Sequence, residues 1–377
     1  MSRQTPRPAA SPARRPRDPA PPRKTALTQV TQRRPIVPDE SFVALPQPVG
    51  SRPYHRPLAD VIGQRTSEEI TRAGVMRFHA VGDTGGHIDP RPQRRVADAM
   101  VRELADAEPP RFFYHLGDVV YPHGEEPNYH PQFFSAYADY AAPIFAVPGN
   151  HDAESPMISL GGFLKTFCSQ TPPLHDAGVP LPRPLPRQPH VYWTLVHDWL
   201  RIIGLYSNVP EGGQFADDQV RWLIEELRAA PPDVTVILAM HQPVYAADVT
   251  HGSNLTLADA LGEWYAEAGR SPDAVFTGHA HNYQRFARRH GDFKIPYVVA
   301  GAGGYYERHA IADGVSASAL PASFPGLDGV TLEAYEDNAH GFMTVTATPR
   351  GADVAYTAVT EGSATVVDSF RIRAGAI

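Results

Sequence analysis

The sequence predicts an α/β domain built on mixed β-sheet. Short apolar runs recur from residue 74 onward, and each stops abruptly at a small polar cluster. Amphipathic helical stretches lie between some of these runs. The block from residue 341 to 372 alternates apolar and polar residues around Gly and Pro turns, as antiparallel strands do. Strands alternating with helices imply crossover units, whose functional groups gather beyond the strands' carboxyl ends.

Taken in order, VMRFHAV ends at Gly82-Asp83, RFFYHL at Gly117-Asp118, and PIFAVP at Gly149-Asn150-His151-Asp152. VTVILAM ends at His241 and DAVFT at Gly278-His279-Ala280-His281. RPQRRVADAMVRELADAE sets Val96, Met100 and Leu104 on one helical face, and Pro92 suits its start. DDQVRWLIEELRAA stacks Val220, Leu223, Ile224 and Leu227 behind Asp217 and Asp218. VYWTLVHDWLRIIGLYSN predicts a hairpin turning at His197-Asp198, and residues 170–190 and 305–338 are expected as long loops. His79 and His115, inside apparent strands, are expected to pack. A structural hydrogen bond or ion pair is expected of Tyr283 and Arg285.

The chain of 377 residues is long enough for one large domain or two modest ones. Its net charge of -7 argues against a dedicated nucleic-acid binder. Residues 1–37 carry nine Arg or Lys and one Asp, so the remaining residues carry -15. That stretch is rich in Pro and poor in large apolar residues. We expect a disordered basic tail over residues 1–57 and a catalytic domain over 58–377. Arg14-Arg15 lacks the apolar stretch that an export signal needs, and no run approaches a membrane span. The single cysteine, Cys168, reads as a packed thiol. These features point to the cytoplasm.

Asp, Asn and His are ligands for first-row divalent or trivalent cations. One His-x-His or one Gly-Asp pair is weak evidence, because most such pairs mark turns. Five clusters after five apolar runs form a specific set, each beside a small residue that allows close backbone approach. Two places after Asp83 stands Gly85, whereas three places after Asp118 stands Tyr121, an aromatic where a loop prefers polar residues. Tyr121 is a candidate ligand filling that gap, or else a rim aromatic.

The order GD-x-G, GD-x-x-Y, GNHD, H, GHAH resembles the calcineurin-like metallophosphoesterase superfamily, and within it the purple acid phosphatase branch. The resemblance covers residues 74 to 372. Most superfamily members have a histidine two after the first aspartate; here GDTG lacks it and GDVVY supplies a tyrosine, as that branch does. The resemblance implies a four-layer α-β-β-α sandwich of two mixed sheets flanked by helices. It further implies one metal on Asp83, Asp118, Tyr121 and His281, and a second on Asp118, Asn150, His241 and His279. A phenol with a pKa of about 10 ionises near neutrality only beside a strong cation, so Fe(III) with divalent Fe, Zn or Mn is the expected pair. His151 is the expected proton donor, Asp152 its orienting carboxylate, and His251 a substrate-facing histidine.

These features yield a hydrolase of phosphate esters in which a metal-activated hydroxide attacks phosphorus, acting foremost on phosphomonoesters. The alternatives are a phosphodiesterase on nucleotides or lipid headgroups, and an inactive scaffold that binds protein. The expected partner is a phosphate-ester small molecule, with no specific nucleic-acid role.

Overall fold

The computed structural model describes residues 31–32, 36, 44–153, 160–169, 185–207, 214–290 and 293–375. Its early strands are β1 (Thr31–Gln32), β2 (His55–Pro57), β3 (Met76–Val81), β4 (Phe113–His115), β5 (Ile144–Ala146), β6 (Trp193–His197), β7 (Leu200–Gly204) and β8 (Thr235–Ala239). They are followed by β9 (Ser253–Asn254), β10 (Ala274–Thr277), β11 (Tyr283–His290), β12 (Phe293–Ala300) and β13 (Ala322–Ser323). Last come β14 (Val330–Glu336), β15 (His340–Thr348), β16 (Gly351–Thr360) and β17 (Ser363–Arg373). The longer helices are α1 (Gln64–Ala73), α2 (Arg91–Glu103), α3 (Asp217–Ala229) and α4 (Leu255–Ala268).

Among the described residues, one sheet has nine strands in the order β13-β14-β11-β12-β10-β8-β7-β6-β2. Another has six, in the order β17-β16-β15-β3-β4-β5. Both are mixed. β3, β4 and β5 pair in parallel, as do β7, β8, β10 and β12, while β15–β17 form an antiparallel meander. This is the expected order of crossover units first and antiparallel block last.

The sheets meet through large aromatic rings. Tyr114 of β4 stacks on Trp193 of β6 at 5.9 Å between centroids, and Phe145 of β5 reaches the same indole at 5.4 Å. Tyr283 stacks on Tyr356 at 3.9 Å. All are buried, and rings of this size supply most of the area removed from water at such an interface. On the six-stranded side, Glu103 of α2 takes bonds from Arg77, His79 and Thr344. On the nine-stranded side, Glu226 of α3 binds His55 and Thr194, and α3 also packs on α4. The arrangement is two mixed sheets flanked by helices.

Several expectations hold in detail. The hairpin forms between β6 and β7, and His79 and His115 are fully buried strand residues bonded to Tyr140 and Thr84. Tyr283 and Arg285 both bind Asp368. Cys168 is buried, and burial pushes its thiol up to about 12.

Two boundaries need correction. The tail was expected to run to residue 57, but His55–Pro57 is the edge strand of the larger sheet, parallel to β6. Tyr54 and Leu58 on either side are buried, and that apolar contact outweighs the disorder favoured by neighbouring prolines. Most of residues 1–43 lies outside the described residues. Within the expected loop 305–338, Val330–Glu336 is a strand that pairs with β11. The expected loop at 170–190 is described only from residue 185.

Candidate metal centre

β3, β4, β5, β8 and β10 all deliver their polar clusters at their carboxyl ends. The chain there must turn sharply. Asp83, Asp118 and His279 adopt left-handed backbone conformations, with φ of 59°, 54° and 71°. Such positions cost a non-glycine residue roughly 1–2 kcal/mol and persist where surrounding bonds over-determine them. Those bonds are present: Asp83 N–H donates to Gly117 O at 2.9 Å, and Gly278 N–H to His241 O at 2.9 Å. His279 N–H donates to Asp83 Oδ2 at 2.8 Å, and His151 N–H to Asp118 Oδ1 at 2.9 Å. Gly149 must lack a side chain, since a Cβ there would lie 2.1 Å from Asp118 Oδ1.

The seven expected ligands converge, and none is more than 8% exposed. The Tyr121 hydroxyl lies 3.1 Å from Asp118 Oδ2, 3.4 Å from Asp83 Oδ1 and 3.4 Å from His281 Nε2. On the other side, Asn150 Oδ1 faces His241 Nε2 at 3.1 Å and His279 Nδ1 at 3.0 Å. Asp118 Oδ2 stands between the two groups, 3.3 Å from His241 Nε2.

Tyr121 owes its place to Gln132, which accepts from Tyr121 N–H at 2.9 Å and donates to Tyr121 O at 2.6 Å. A Cβ at Gly85 would lie 2.5 Å from the Tyr121 ring. The ring therefore occupies the space that a side chain at residue 85 would need.

Two imidazoles show what the centre can hold. His241 Nδ1 is committed to Leu116 O at 2.8 Å and His281 Nδ1 to Glu307 O at 2.9 Å. In the neutral rings each Nε2 then presents a lone pair to carboxylate, amide or phenol oxygens. Electron-pair donors facing one another need protons or cations between them. Burial would lower the pKa of His241, but Asp118 and Asp83 push it up to about 9. Burial would raise Asp118, yet His241 and His151 hold it below the usual carboxylate range. Burial, then Asp118 and Asp83, push the Tyr121 phenol well above its ordinary value. The donor set and its unbalanced negative charge fit metal cations.

The expected second histidine pair divides. The His151 ring lies 4.5 Å from that of Tyr121, and its Nδ1 meets Pro122 O at 2.7 Å. Asp152 was expected to orient this imidazole. Instead its carboxylate accepts from the backbone N–H of Val119, Val120 and Gly149, and the Pro122 carbonyl sets the His151 tautomer. Asp152 is therefore a clamp on the loop that presents Asp118. Burial and the Asp118 charge push it up to about 7. His251 stands beside the centre, its ring 4.2 Å from His279.

Sequence reasoning passed over Tyr305, His309 and Gln132. Tyr305 packs on Tyr121 at 4.2 Å and on His281 at 4.7 Å. His309 stacks on His281 at 4.3 Å and accepts its backbone N–H through Nδ1 at 3.1 Å. No spacing rule links these residues to the five clusters.

The family model for calcineurin-like phosphoesterases matches residues 76–283. The chain belongs to the calcineurin-like phosphoesterase family. That family is binuclear and metal-dependent and hydrolyses phosphoesters, in agreement with the donor cluster. A purple acid phosphatase from yellow lupin (Lupinus luteus) seeds superposes on this calcineurin-like phosphoesterase with a TM-score of 0.58 at 17% identity, covering 79% of this chain and 54% of that one. GAP50, the anchor in the inner membrane complex of Plasmodium, gives 0.57 at 14% identity, covering 80% and 89%. A cAMP/cGMP dual specificity phosphodiesterase of Mycobacterium tuberculosis is 34% identical over 119 residues, 31% of this chain and 36% of that protein. This phosphoesterase thus matches about a third of the length of that curated relative. Among its described residues no helix is long and apolar enough to cross a membrane.

Proposed function

We propose that the chain is a phosphomonoesterase of the purple acid phosphatase type, with Fe(III) beside divalent Fe, Zn or Mn. Asp83, Asp118, Tyr121 and His281 hold one ion; Asp118, Asn150, His241 and His279 hold the other, with Asp118 shared. When bound, the ions supply Lewis acidity and lower the pKa of a bound water from 15.7 to about 7. The chain contributes burial, which strengthens every charge interaction at the centre. Tyr121 contributes a phenolate, which that much burial permits only against a strongly charged cation. His151, whose Nδ1–H donates to Pro122 O, is assigned to exchange a proton with the leaving alkoxide through Nε2. His251 is assigned to donate to a phosphoryl oxygen from beside His279.

One observation carries this reading: the Tyr121 hydroxyl lies within 3.4 Å of Asp83, Asp118 and His281 at once. Iron-loaded protein is therefore expected to show a visible tyrosinate charge-transfer band that Tyr121→Phe removes. A colourless, active enzyme holding only Zn or Mn would refute the iron assignment and leave the ligand set standing.

A second reading, phosphodiesterase, is favoured by the likeness to the cyclic-nucleotide phosphodiesterase. Parallel turnover of p-nitrophenyl phosphate and its bis ester separates the two. The monoester is expected to be the faster by at least about tenfold in kcat/KM, which corresponds to 1.36 kcal/mol of barrier. A preference for the bis ester would replace the first reading with the second.

A further inference from the structure

Beside the binuclear cluster lies another group of donors, contributed by two segments that are zipped together. Asp248 bridges to Ile311, Val249 N–H donates to Ala310 O at 3.0 Å, and Ala312 N–H donates to Ala247 O at 2.9 Å. This pairing sets Asp248 and His251 opposite His309. Asp248 Oδ1 is fully used, accepting from the backbone N–H of Thr250 and of His251. Asp248 Oδ2 and His251 Nδ1 are buried without a hydrogen-bond partner, on residues 0% and 8% exposed. Unpaired buried polar atoms are rare and costly, more so for a carboxylate.

The spacing of these atoms is informative. Asp248 Oδ2 lies 3.7 Å from His251 Nδ1 and 3.8 Å from His309 Nδ1. Hydrogen bonds between such atoms are about 2.7–3.2 Å long, so both separations are too wide for one. Two ligands bonded at about 2.1 Å to one ion stand about 3.4 Å apart at the tetrahedral angle and at most about 4.2 Å apart. One ligand atom from each of the three residues lies within 4.8 Å of the others, so the two imidazoles would need to close by no more than about 0.6 Å to meet that limit. We propose that Asp248, His251 and His309 form a third cation site, separate from the binuclear cluster and suited to a divalent first-row metal such as Zn²⁺. One carboxylate with two imidazoles is a common catalytic zinc donor set, and it disfavours Mg²⁺ or Ca²⁺, which prefer oxygen.

His309 Nδ1 also accepts the His281 N–H, so ligation through that atom exchanges one bond for another. An ion on His251 Nδ1 would fix that ring as its Nε2–H tautomer, a hydrogen-bond donor beside His279. The site stands on its own residues and does not depend on the binuclear assignment.

The test counts metal in the full-length protein, loaded with Zn²⁺ and freed of excess by gel filtration. Asp248→Asn keeps the acceptor for the two backbone N–H groups and removes the charge. It and His309→Ala are each expected to bind one equivalent fewer than the wild type. Asp118→Ala is expected to keep this equivalent while losing metal from the binuclear cluster, so failures of the two assignments are read separately. Unchanged stoichiometry in either Asp248→Asn or His309→Ala overturns the proposal. Should a variant not fold, anomalous diffraction from Zn²⁺-loaded wild-type crystals is decisive: a peak between Asp248 Oδ2 and His251 Nδ1 supports it, and none overturns it.

Discussion

Gly85 has no side chain, and the ring of Tyr121 lies where one would begin. The ring cannot easily retreat, because it is buried between Tyr305 at 4.2 Å and His151 at 4.5 Å. Gly85→Ala is therefore expected to push the hydroxyl away from Asp83 and His281. A displacement of about 1 Å at a reacting centre can cost roughly 10²-fold in rate, and that is the loss expected in kcat/KM. Metal content should fall with it, and the visible band should shift or vanish. A Gly85→Ala variant of wild-type rate and colour would show that Tyr121 is a wall residue. The exchange of side chains between positions 85 and 121 was legible in the sequence because both sit at fixed offsets from Gly-Asp pairs. Gln132, which holds both sides of the Tyr121 peptide, was not legible, because its partner is eleven residues away on an irregular turn. His309 was equally hidden, since only the fold brings it to His281.

At the scale of elements, the strands that end in polar clusters could be read because each apolar run stops sharply. Helix α4 was not read, although Leu257, Leu261, Tyr265 and Ala268 recur at helical spacing and are buried, with Asp259, Glu263 and Glu267 exposed on another face. Strand β14 hid between turn-forming residues, PGLDG before it and DN after it, although VTLEAYE alternates apolar and polar positions as a strand paired with β11 does. Asp152 shows why a plausible local pairing can mislead. Its neighbour His151 invited an acid–base dyad, but the loop after β4 needs acceptors for its N–H groups more urgently. Asp152→Ala leaves the Val119, Val120 and Gly149 amides without their acceptor in a buried place. At about 1–3 kcal/mol for an unsatisfied buried group, and with partial relaxation, the variant should lose about 2–4 kcal/mol in urea unfolding. It should also lose activity, since the same loop carries Asp118. A loss below about 1 kcal/mol would mean that the loop holds its shape without the clamp.

For the whole molecule, the question is how the segment before the domain's expected start is bound to it. Tyr54 lies against Tyr192 at 5.5 Å, Trp222 at 6.4 Å and His190 at 5.1 Å, which joins residues 44–57 to the segment leading into β6 and to α3. Burial in this cluster, with Arg52 adding to it, lowers His190 from 6.5 to about 4. Its native form is thus neutral where the unfolded form takes up a proton. The contribution of His190 is complete above about pH 6.5, is lost progressively as pH falls to about 4, and changes little below that. At 1.36 kcal/mol per pKa unit, and discounting for solvent screening, the loss is about 1–3 kcal/mol. Asp152 and His241, both raised, run in the opposite direction, so the effect must be read as a difference between proteins. His190→Phe keeps the ring packing and removes the titration. Urea unfolding of both proteins at about pH 7.5 and about pH 4.5 should show the wild type losing about 1–3 kcal/mol more than the variant between those values. Parallel losses would mean that the imidazole can charge within the fold, and that the aromatic cluster opens to water more readily than its packing implies.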